Sequence, residues 1–527
     1  MTINPNNVFA EALTNYQRGQ YQKTAQLLNT LLQANIASPD IFNLMASALF
    51  RLGDRDNAKK LYLASLKMKP DYAQTHVHAA GFYRQISELD LATQHYVKAF
   101  ELDQNDRESL MNAALVLQQL ERWEASEEVI ERYIDAFGVG YEVLIRKSVC
   151  RYSLYDYDEA EALIEKAELI NPDQVMTQYY RAQVYDKTNR KVEADRLFSN
   201  LIAQGHEPSK FSLSLLCFSI GDWDRAFELY ENRPVALWLK QYCESNGACY
   251  WDGASDLKNK HVLVYAEQGL GDQIRYAYFI KRLVAEAKKV SIIYDARLYP
   301  VIQHMYPDVE CLATESLTPE ILHDVSPEFC LCVGSLGLRY SDGLYDSKLL
   351  EDGFFSYEGD QSDLPVKDSS KPIIGLCWRS IKILKERNEW YCTAQEFAQM
   401  LSGIEATFIS LQYGLSDEER EAFRSEGLEL IELYGIDLKD DQASLAHIIS
   451  QLDSVVSVST AMSELAGACG VPVLTLAIEN IRWFMAEKHV SGFYPKSRMY
   501  YKKMFGTWDE ALSRLRSDLI AEDCERL

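Results

Sequence analysis

The chain has 527 residues, of which 47% are hydrophobic and 25% charged, and its formal net charge is −24 at pH 7. This composition is typical of a folded protein, and the length predicts roughly three or four domains, because one hydrophobic core does not support so long a chain. The strong negative charge opposes binding to nucleic-acid phosphates or to an anionic membrane, so neither is predicted as a partner.

The cellular compartment is predicted from three features that were looked for in the sequence: a signal peptide, a membrane span and paired cysteines. The first residues show no basic segment followed by an apolar core, so no signal peptide is expected. The longest apolar runs, such as residues 213–220, are far shorter than the ~20 residues of a membrane span. The eleven cysteines form no CxxC pair, and the alternation around Cys330 and Cys332 predicts a strand instead of a metal site. Reduced thiols and a cytoplasmic location are therefore expected.

Residues 1–240 carry a repeat with a period of 34 residues. Small residues recur at this spacing, and a large apolar residue follows each of them four positions later. The small residues are Thr24, Ala58, Ala92, Ser126, Ala160 and Ala194. A small residue lets two helices cross closely, and the period is that of the tetratricopeptide repeat, a helix–turn–helix hairpin. A seventh, shortened unit is expected at residues 211–232.

Hairpins of this kind stack into an α-solenoid with a concave groove, because one hairpin cannot bury its apolar face alone. The groove is predicted to bind a protein partner, and the alternative is that the repeats only support the neighbouring domain. The first helix of each hairpin should line it. These helices are predicted at 41–52, 75–86, 110–120, 143–153 and 178–188.

Two Asp-x-Asp triplets, at 156–158 and 222–224, have a spacing that many metal-dependent sugar transferases use to hold a divalent ion. Both fall on turns of the repeat, where the acidic residue caps the second helix and the aromatic residue packs inward. The structural interpretation is preferred, and no metal site is predicted.

From residue 261 the pattern changes to short apolar segments that alternate with amphipathic ones. Strands are predicted at 261–266, 290–294, 330–333, 373–378, 407–412, 429–433, 454–459 and 473–476. Helices are predicted at 272–288, 393–402, 444–451 and 460–469. Continuously apolar strands that alternate with helices indicate parallel sheets covered on both faces, with ligands bound at the carboxyl ends of the strands.

A polar stretch near residues 360–371 indicates a linker between two such units. The predicted domains are a repeat domain at 1–240, a linker at 241–260, a first lobe at 261–365 and a second lobe at 366–527. The two lobes are expected to face each other across a cleft.

The first loop at a carboxyl end contains a glycine turn that opens a helix. Gly269 and Gly271 let the backbone approach a ligand closely, and the start of the helix attracts anions. Asp272 is unexpected in a phosphate cradle, so the turn indicates chemistry as well as binding. An aspartate at a helix N-terminus also stabilises the helix without any catalytic role, and that alternative stays open.

Two further loops follow predicted strands. Residues 379–387 hold four basic side chains in an otherwise acidic chain, and such a patch suits an anionic ligand. These side chains are Arg379, Lys382, Lys385 and Arg387. Ser459 and Thr460 end a strand and open a helix, where hydroxyl and N–H groups can hold a phosphate. The alternatives are an ordinary solvated loop and an unliganded helix cap.

The second half resembles a GT-B glycosyltransferase of the bacterial heptosyltransferase-like family, over about residues 250–510. The resemblance is carried by residues 267–275 (Glu-Gln-Gly-Leu-Gly-Asp-Gln-Ile-Arg), 374–378, 411–412, 459–468 and 470–472. With the repeats in front, the chain is similar to tetratricopeptide-containing glycosyltransferases that modify proteins, flagellin glycosyltransferases among them. The fold class expected is therefore an α-solenoid followed by an α/β GT-B fold of two Rossmann-like lobes.

The resemblance implies a function and a set of site residues. It implies an inverting transfer from a nucleotide sugar, without metal or cofactor, to Ser or Thr of a protein held by the repeats, with flagellin as one such acceptor. Asp272 would be the general base, within an acceptor-lobe turn formed by Gln268, Gly269, Gly271 and Arg275. The donor nucleotide and phosphates would be bound by the basic loop together with Ser459, Thr460, Ala461 and Glu464.

The sequence departs from the family at two positions, because the family usually has Asp where Ser459 stands and His where Glu464 stands. These departures put the donor identity in question. They leave open a second hypothesis, an adaptor that binds a protein and a sugar nucleotide without turnover. A third, transfer to a lipid-linked glycan, is disfavoured by the repeats and by the lack of a basic membrane-facing helix.

Overall fold

The computed structural model describes residues 4–267, 269–314, 316–345, 352–358, 364–366, 371–380, 390–479, 485–487, 490–503 and 506–521. The chain forms two compact units, Met1–Val184 and Tyr185–Leu527. The division falls inside the helix Val175–Lys187. The domain boundaries expected from the sequence were drawn where the type of element changes, and they stay predictions.

Residues 4–245, all of which are described, contain fifteen helices and no strand. Those that begin in the first unit are α1 (Pro5–Gln17), α2 (Tyr21–Gln33), α3 (Pro39–Arg51), α4 (Arg55–Met68), α5 (Ala73–Gln85), α6 (Leu89–Leu102), α7 (Arg107–Gln119), α8 (Trp123–Phe137), α9 (Tyr141–Ser153), α10 (Tyr157–Ile170) and α11 (Val175–Lys187). The helices that begin in the second unit before its first strand are α12 (Lys191–Ala203), α13 (Pro208–Ile220), α14 (Trp223–Tyr230) and α15 (Pro234–Ser245).

Burial explains why the period of 34 residues folds as hairpins. All six small residues of the repeat are fully buried, and the large residue four positions after each of them is buried as well. Thus Ala58 and Tyr62 both lie in the core between neighbouring helices, as do Ala92 and Tyr96. The predicted solenoid of tetratricopeptide-like hairpins is confirmed. The predicted first helices correspond to α3, α5, α7, α9 and α11.

The shortened seventh unit is confirmed as α13 and α14, the second of which has only eight residues. The structural interpretation of the first Asp-x-Asp triplet also holds, because Asp156 caps α10 by accepting the N–H of Glu159 at 3.2 Å. The second triplet differs in one detail. Asp222 occupies the N-cap position of α14 without a side-chain hydrogen bond to the helix, while Trp223 is buried as expected.

The first sheet contains four parallel strands among the described residues, in the order β3-β2-β1-β4. These are β1 (His261–Tyr265), β2 (Lys289–Ile293), β3 (Glu310–Cys311) and β4 (Phe329–Cys332). Its helices are α16 (Leu270–Glu286), α17 (Tyr299–Met305), α18 (Pro319–Val325) and α19 (Gly337–Tyr340). The central strand β1 is apolar because it is covered on both faces and pairs with β2 and β4.

The second sheet has six parallel strands in the described segments, in the order β12-β9-β8-β5-β6-β7. The strands of this half are β5 (Ile373–Cys377), β6 (Thr407–Ser410), β7 (Leu430–Glu432), β8 (Ser454–Val458), β9 (Val473–Ile478) and β12 (Ser497–Lys502), with a small antiparallel hairpin of β10 (Met485–Glu487) and β11 (Val490–Ser491). Its helices are α20 (Ala394–Leu401), α21 (Asp417–Ser425), α22 (Gln442–Ile449), α23 (Ala461–Ala468) and α24 (Asp509–Ile520).

All eight strands predicted for the second half are present within a few residues of their expected bounds, and the α/β class with parallel sheets is confirmed. The elements that were not predicted are the strands β3, β10, β11 and β12 and the helices α17, α18, α19, α21 and α24. Among them, β3 has only two residues, β12 has a polar sequence that is partly buried at three of its six positions, and α21 buries Phe423 alone of its nine residues. Weak apolar periodicity leaves such elements without a sequence signal. The predicted linker at 360–371 lies mostly outside the described residues.

The aromatic side chains of α14 pack into the α/β part of the second unit. Phe227 lies against α19, where a Cβ added at Gly337 would come within 2.1 Å of its ring. Trp223 meets Gly492 in the same way, also at 2.1 Å. Because these two glycines have no side chain, the aromatic rings of α14 can pack directly against the backbone at both positions.

Candidate functional site

The turn after β1 begins at a buried ion pair. Glu267 and Arg233 are only 4% and 2% exposed, and Arg233 Nη2 donates to Glu267 Oε1 at 2.7 Å. The N–H of Gly334 donates to the same oxygen at 3.1 Å. Because a buried carboxylate is costly unless it is paired and hydrogen-bonded, this arrangement holds Glu267 in one position. The turn is thereby anchored to α15, whose N-cap is Arg233.

Gln273 fixes the other side of the turn. Its side-chain Nε2 donates to the Glu267 carbonyl at 2.9 Å, and its Oε1 accepts the N–H of Asp295 at 2.8 Å. Since Asp295 follows β2, one buried amide ties the ends of two neighbouring strands together. The carboxyl edge of the first sheet is consequently a preorganised surface.

Asp272 lies in the first turn of α16, with 44% of its side chain exposed. Its Oδ1 accepts from Arg275 Nη1 at 2.9 Å. Burial of the carboxylate by the surrounding protein raises the pKa of Asp272, Arg275 acts against this rise, and Glu464 adds to it. The N-cap residue of α16 is Gly269, and no side chain among the described residues forms a capping hydrogen bond there. Asp272 therefore does not cap its helix through a hydrogen bond.

Arg275 joins the two loops that the sequence predicted to face each other. Its guanidinium forms a bidentate pair with the carboxylate of Glu464, with Nε at 3.1 Å from Oε2 and Nη2 also bonded to Oε1. The hydroxyl of Tyr494 donates to Glu464 Oε2 at 2.7 Å. A Cβ added at Gly271 would lie 3.2 Å from Glu464 Cγ and 3.7 Å from Ala461 Cα. The glycine turn and the start of α23 are thus in direct contact.

Ser459 and Thr460 lie where β8 passes into α23. Ser459 is exposed, and its N–H donates to the Leu476 carbonyl at 3.1 Å. Thr460 is the N-cap residue, and its own N–H donates to Ser463 Oγ at 3.1 Å. The start of a helix offers unpaired N–H groups that can bind an anion. The carboxylate of Glu464 lies in the first turn of α23, and its negative charge repels an anion from this position.

Arg379 is the part of the basic loop that the structure describes. Its guanidinium pairs with Glu419, with Nε to Oε1 at 2.6 Å and Nη2 to Oε2 at 2.7 Å, and it also donates to the Gly414 carbonyl. Gln412 Oε1 accepts the N–H of Arg379 at 3.0 Å. A phosphate would therefore have to compete with Glu419 for this guanidinium. The other predicted site residues, Gln268, Lys382, Lys385 and Arg387, lie outside the described residues and stay predictions.

An open pocket of about 900 Å³ lies at the carboxyl edge of the first sheet. It is bounded by Tyr265 and Glu267 after β1, by residues 293–296 after β2, by residues 313–314 and by α15. Gln273 lines the pocket, while the preceding residue, Asp272, lies outside it. The sequence predicted ligand binding at this edge of the sheet but not the walls of the pocket, because the walls come from segments that are distant along the chain.

Sequence reasoning missed several residues that hold the site. Arg233, Glu419 and Tyr494 each bind a carboxylate or guanidinium of the site from another element. None carries a local signal, since each partner lies 30 or more residues away. Glu267 belongs to the motif of the resemblance, and only the structure reveals that it is buried against Arg233.

The fold and the loops together define a class of protein: tetratricopeptide-like helical hairpins followed by an α/β region with two parallel sheets, whose loops meet at α16 and α23. A family model described as tetratricopeptide repeat matches residues 39–72, which span α3 and α4. Repeats of this type support a role in protein–protein interaction.

The chain is 23% identical to the protein named Protein FlbA of Caulobacter vibrioides, over 539 aligned positions that cover 97% of this chain and 89% of that protein. Two solved structures of other proteins are similar to part of the chain. A tetratricopeptide repeat protein from Parabacteroides merdae is 13% identical, with a TM-score of 0.40, and the match covers 46% of this chain and 96% of that one. PilF of Pseudomonas aeruginosa is 16% identical, with a TM-score of 0.32, covering 37% and 90%.

Two features are absent from the described residues. No helix among them has the length and apolar character needed to cross a bilayer. Within the same part of the chain, no group of three or more His, Cys, Asp or Glu side chains is arranged to hold a metal ion.

Proposed function

We propose that this protein is a glycosyltransferase that moves a sugar from a nucleotide-sugar donor to a Ser or Thr hydroxyl of a protein held by its repeats, with flagellin as a candidate acceptor. The observation that carries the proposal is Asp272. It is a half-exposed carboxylate with a raised pKa, at the carboxyl edge of a parallel sheet, directly beside the loop at the start of α23.

The chemistry requires one proton transfer and one displacement. Asp272 takes the proton of the acceptor hydroxyl while the oxygen attacks the anomeric carbon of the sugar. The bond from that carbon to the donor phosphate breaks, and the nucleotide leaves with the electron pair, which inverts the anomeric centre. A raised pKa suits this role, because a stronger base accepts the proton more readily as long as it stays ionised at the working pH.

The nucleotide-sugar donor would bind at the start of α23, near Ala461, and at the basic loop of residues 379–387. Helix N–H groups at Ala461 and the hydroxyl of Ser459 suit the phosphates of a nucleotide sugar. Positive side chains at 382, 385 and 387 would stabilise the charge that develops on the leaving group.

A second candidate function is an adaptor that binds a protein partner without turnover. Two ion pairs favour it. Glu464 occupies Arg275, and Glu419 occupies Arg379, so neither guanidinium is available to a donor phosphate until its pair opens. The carboxylate of Glu464 also adds negative charge where the donor would bind.

Mass spectrometry of candidate acceptors tests the proposal. The full-length protein is incubated with cell-extract proteins, including flagellin, and a panel of nucleotide sugars. We expect one donor to add a hexose- or aminosugar-sized mass to Ser or Thr, and Asp272→Asn to lower that rate about 10²-fold or more. Asp342→Asn is the matched control, because Asp342 is also an aspartate paired with an arginine but belongs to no predicted site.

The two candidate functions give different results. A mass gain that Asp272→Asn abolishes and Asp342→Asn preserves supports the transferase. If no donor gives a mass gain although an acceptor binds tightly, the adaptor replaces the transferase.

A further inference from the structure

The pocket at the carboxyl edge of the first sheet has aromatic walls. Trp238, Tyr265, Tyr294 and Tyr299 all line it, with Trp238 and Tyr265 in ring contact at 5.3 Å between centroids. The indole of Trp238 is 42% exposed, which is unusual for so large an apolar side chain. Exposed aromatic surface at a concave site is typical of ligand binding.

Both carboxylates that line the pocket are paired with arginines. Glu267 is paired with Arg233, and Asp295 is paired with Arg297, whose Nε and Nη2 lie 2.8 and 2.7 Å from the two Asp295 oxygens. Neither carboxylate is left unpaired to attract a cation, and none of the described residues that line the walls is basic and could attract an anion. An uncharged ligand fits these surroundings best.

Tyr294 contributes aromatic surface to the pocket and no polar contact. It lines the pocket, but its hydroxyl is buried and has no hydrogen-bond partner among the described residues. A ligand in the pocket therefore meets the apolar part of this side chain, as it does at Trp238.

The position of the pocket indicates a polypeptide. Its outer wall is α15, which follows the hairpin of α13 and α14 and so takes the place of the first helix of a further repeat, the helix that faces the groove in such arrays. Its inner wall includes Gln273, the neighbour of Asp272. A chain bound along α15 would therefore reach the proposed catalytic aspartate.

We propose that this pocket binds an uncharged aromatic side chain of the acceptor polypeptide close to the hydroxyl that is modified. The assignment of the ligand as an acceptor rests on the proposed function, whereas the preference for an aromatic side chain rests on the walls of the pocket. The pocket would thus select which Ser or Thr of a protein is presented to Asp272.

Fluorescence polarisation with labelled peptides tests the proposal on the full-length protein without a donor. Each peptide is a Gly-Ser decamer in which one residue near the centre is Phe, Ala or Glu. We expect the Phe peptide to bind about tenfold more tightly than the Ala peptide. Trp238→Ala should remove this preference, and Leu237→Ala should keep it, because Leu237 is 50% exposed on the same helix and does not line the pocket.

A second variant changes the preference instead of removing it. Val235 lines the pocket from α15, so Val235→Lys should make the Glu peptide bind more tightly than the Phe peptide. Equal binding of Phe and Ala peptides to the unaltered protein would overturn the proposal. So would equal losses in Trp238→Ala and Leu237→Ala, or competition by methyl glucoside but not by N-acetylphenylalaninamide.

The result of this binding experiment can be distinguished from the result of the test for sugar transfer. Asp272→Asn should bind the Phe peptide as the unaltered protein does. If the Phe preference is present and no nucleotide sugar ever modifies an acceptor, the peptide pocket stands and the transferase does not.

Discussion

Two carboxylates, those of Asp272 and Glu464, share the guanidinium of Arg275. Arg275 and Glu464 are mostly buried, whereas Asp272 is half exposed. The bidentate bond from Arg275 and the hydroxyl of Tyr494 hold the side chain of Glu464 in place beside Asp272. The departure from the heptosyltransferase-like pattern at position 464 therefore acts on the candidate base through its charge.

Replacing Glu464 should change the pKa of Asp272 in a defined direction. Glu464→Gln removes a negative charge that raises this pKa and leaves Arg275 to interact with Asp272 alone, so both effects lower it. We expect the titration of the Asp272 carboxyl carbon, followed by NMR on selectively labelled protein, to move to lower pH. If the enzyme is active, the acid limb of its pH profile should move the same way.

Glu419→Gln is the matched control for this titration, because Glu419 also pairs with an arginine but at Arg379 and not at Arg275. The pKa of Asp272 should not change in that variant. An unchanged or higher pKa of Asp272 in Glu464→Gln would contradict the proposed electrostatic coupling.

At the scale of elements, the short helix α14 packs against the α/β part of the second unit. Phe227 packs on Phe279 of α16, and Trp223 packs on Phe493, with centroid distances of 5.8 and 6.0 Å. Such close aromatic packing needs glycine on the opposing backbone, since any Cβ at Gly337 or Gly492 would overlap a ring. The helix has eight residues, and its stability must come from this packing.

Gly337→Ala should destabilise the second unit by overpacking this contact. The added methyl would lie 2.1 Å from Cδ1 of Phe227, so the ring or the backbone must move, at a cost of about 1–3 kcal/mol. We expect a lower melting temperature by calorimetry and faster hydrogen exchange in α14 and α19. Gly81→Ala is the control, because its nearest atom would be 3.9 Å away in the middle of α5, where alanine favours the helix by about 0.5–1 kcal/mol. Equal effects of the two substitutions would contradict the packing argument.

At the scale of the whole molecule, the 78 acidic residues outnumber the 54 basic ones, and this excess sets the long-range field. Many of the described ion pairs lie on the surface, where each contributes little to stability. We expect the repulsion among the excess carboxylates to be larger than the stabilisation from these surface ion pairs. A field of this sign favours basic partners and suppresses encounters with nucleic acids.

Added salt should therefore stabilise the protein. Raising NaCl from about 10 to 200 mM shortens the Debye length from ~30 to below 10 Å and screens the repulsion, so the melting temperature should rise by about 2–5 °C. Scanning calorimetry at pH 7 measures the shift, and sucrose at equal osmolality separates screening from exclusion effects. A lower melting temperature in salt would mean that attractive ion pairs dominate the net charge.

Local patterns account for the parts of the fold that were predicted. The buried small residues at Ala58 and Ala92 repeat every 34 positions because the same helix crossing recurs, and the apolar strands β1, β5 and β8 are buried on both faces of parallel sheets. The turn at Gly271 and the start of α23 were expected to face each other across a cleft, because both follow the carboxyl ends of parallel strands, and the structure brings them into direct contact.

The amino-acid sequence alone thus determined the repeats, the parallel sheets and the identity of Asp272 as the unusual acidic residue in a glycine turn. Only the tertiary structure decided that Glu464 binds Arg275, that Glu419 binds Arg379, and that α15 closes an aromatic pocket beside Gln273. The physical reason is the distance along the chain over which each effect acts. Periodicity and turn chemistry act over a few residues, whereas an ion pair or a pocket wall depends on which distant segments the folded chain brings within a few ångströms of each other.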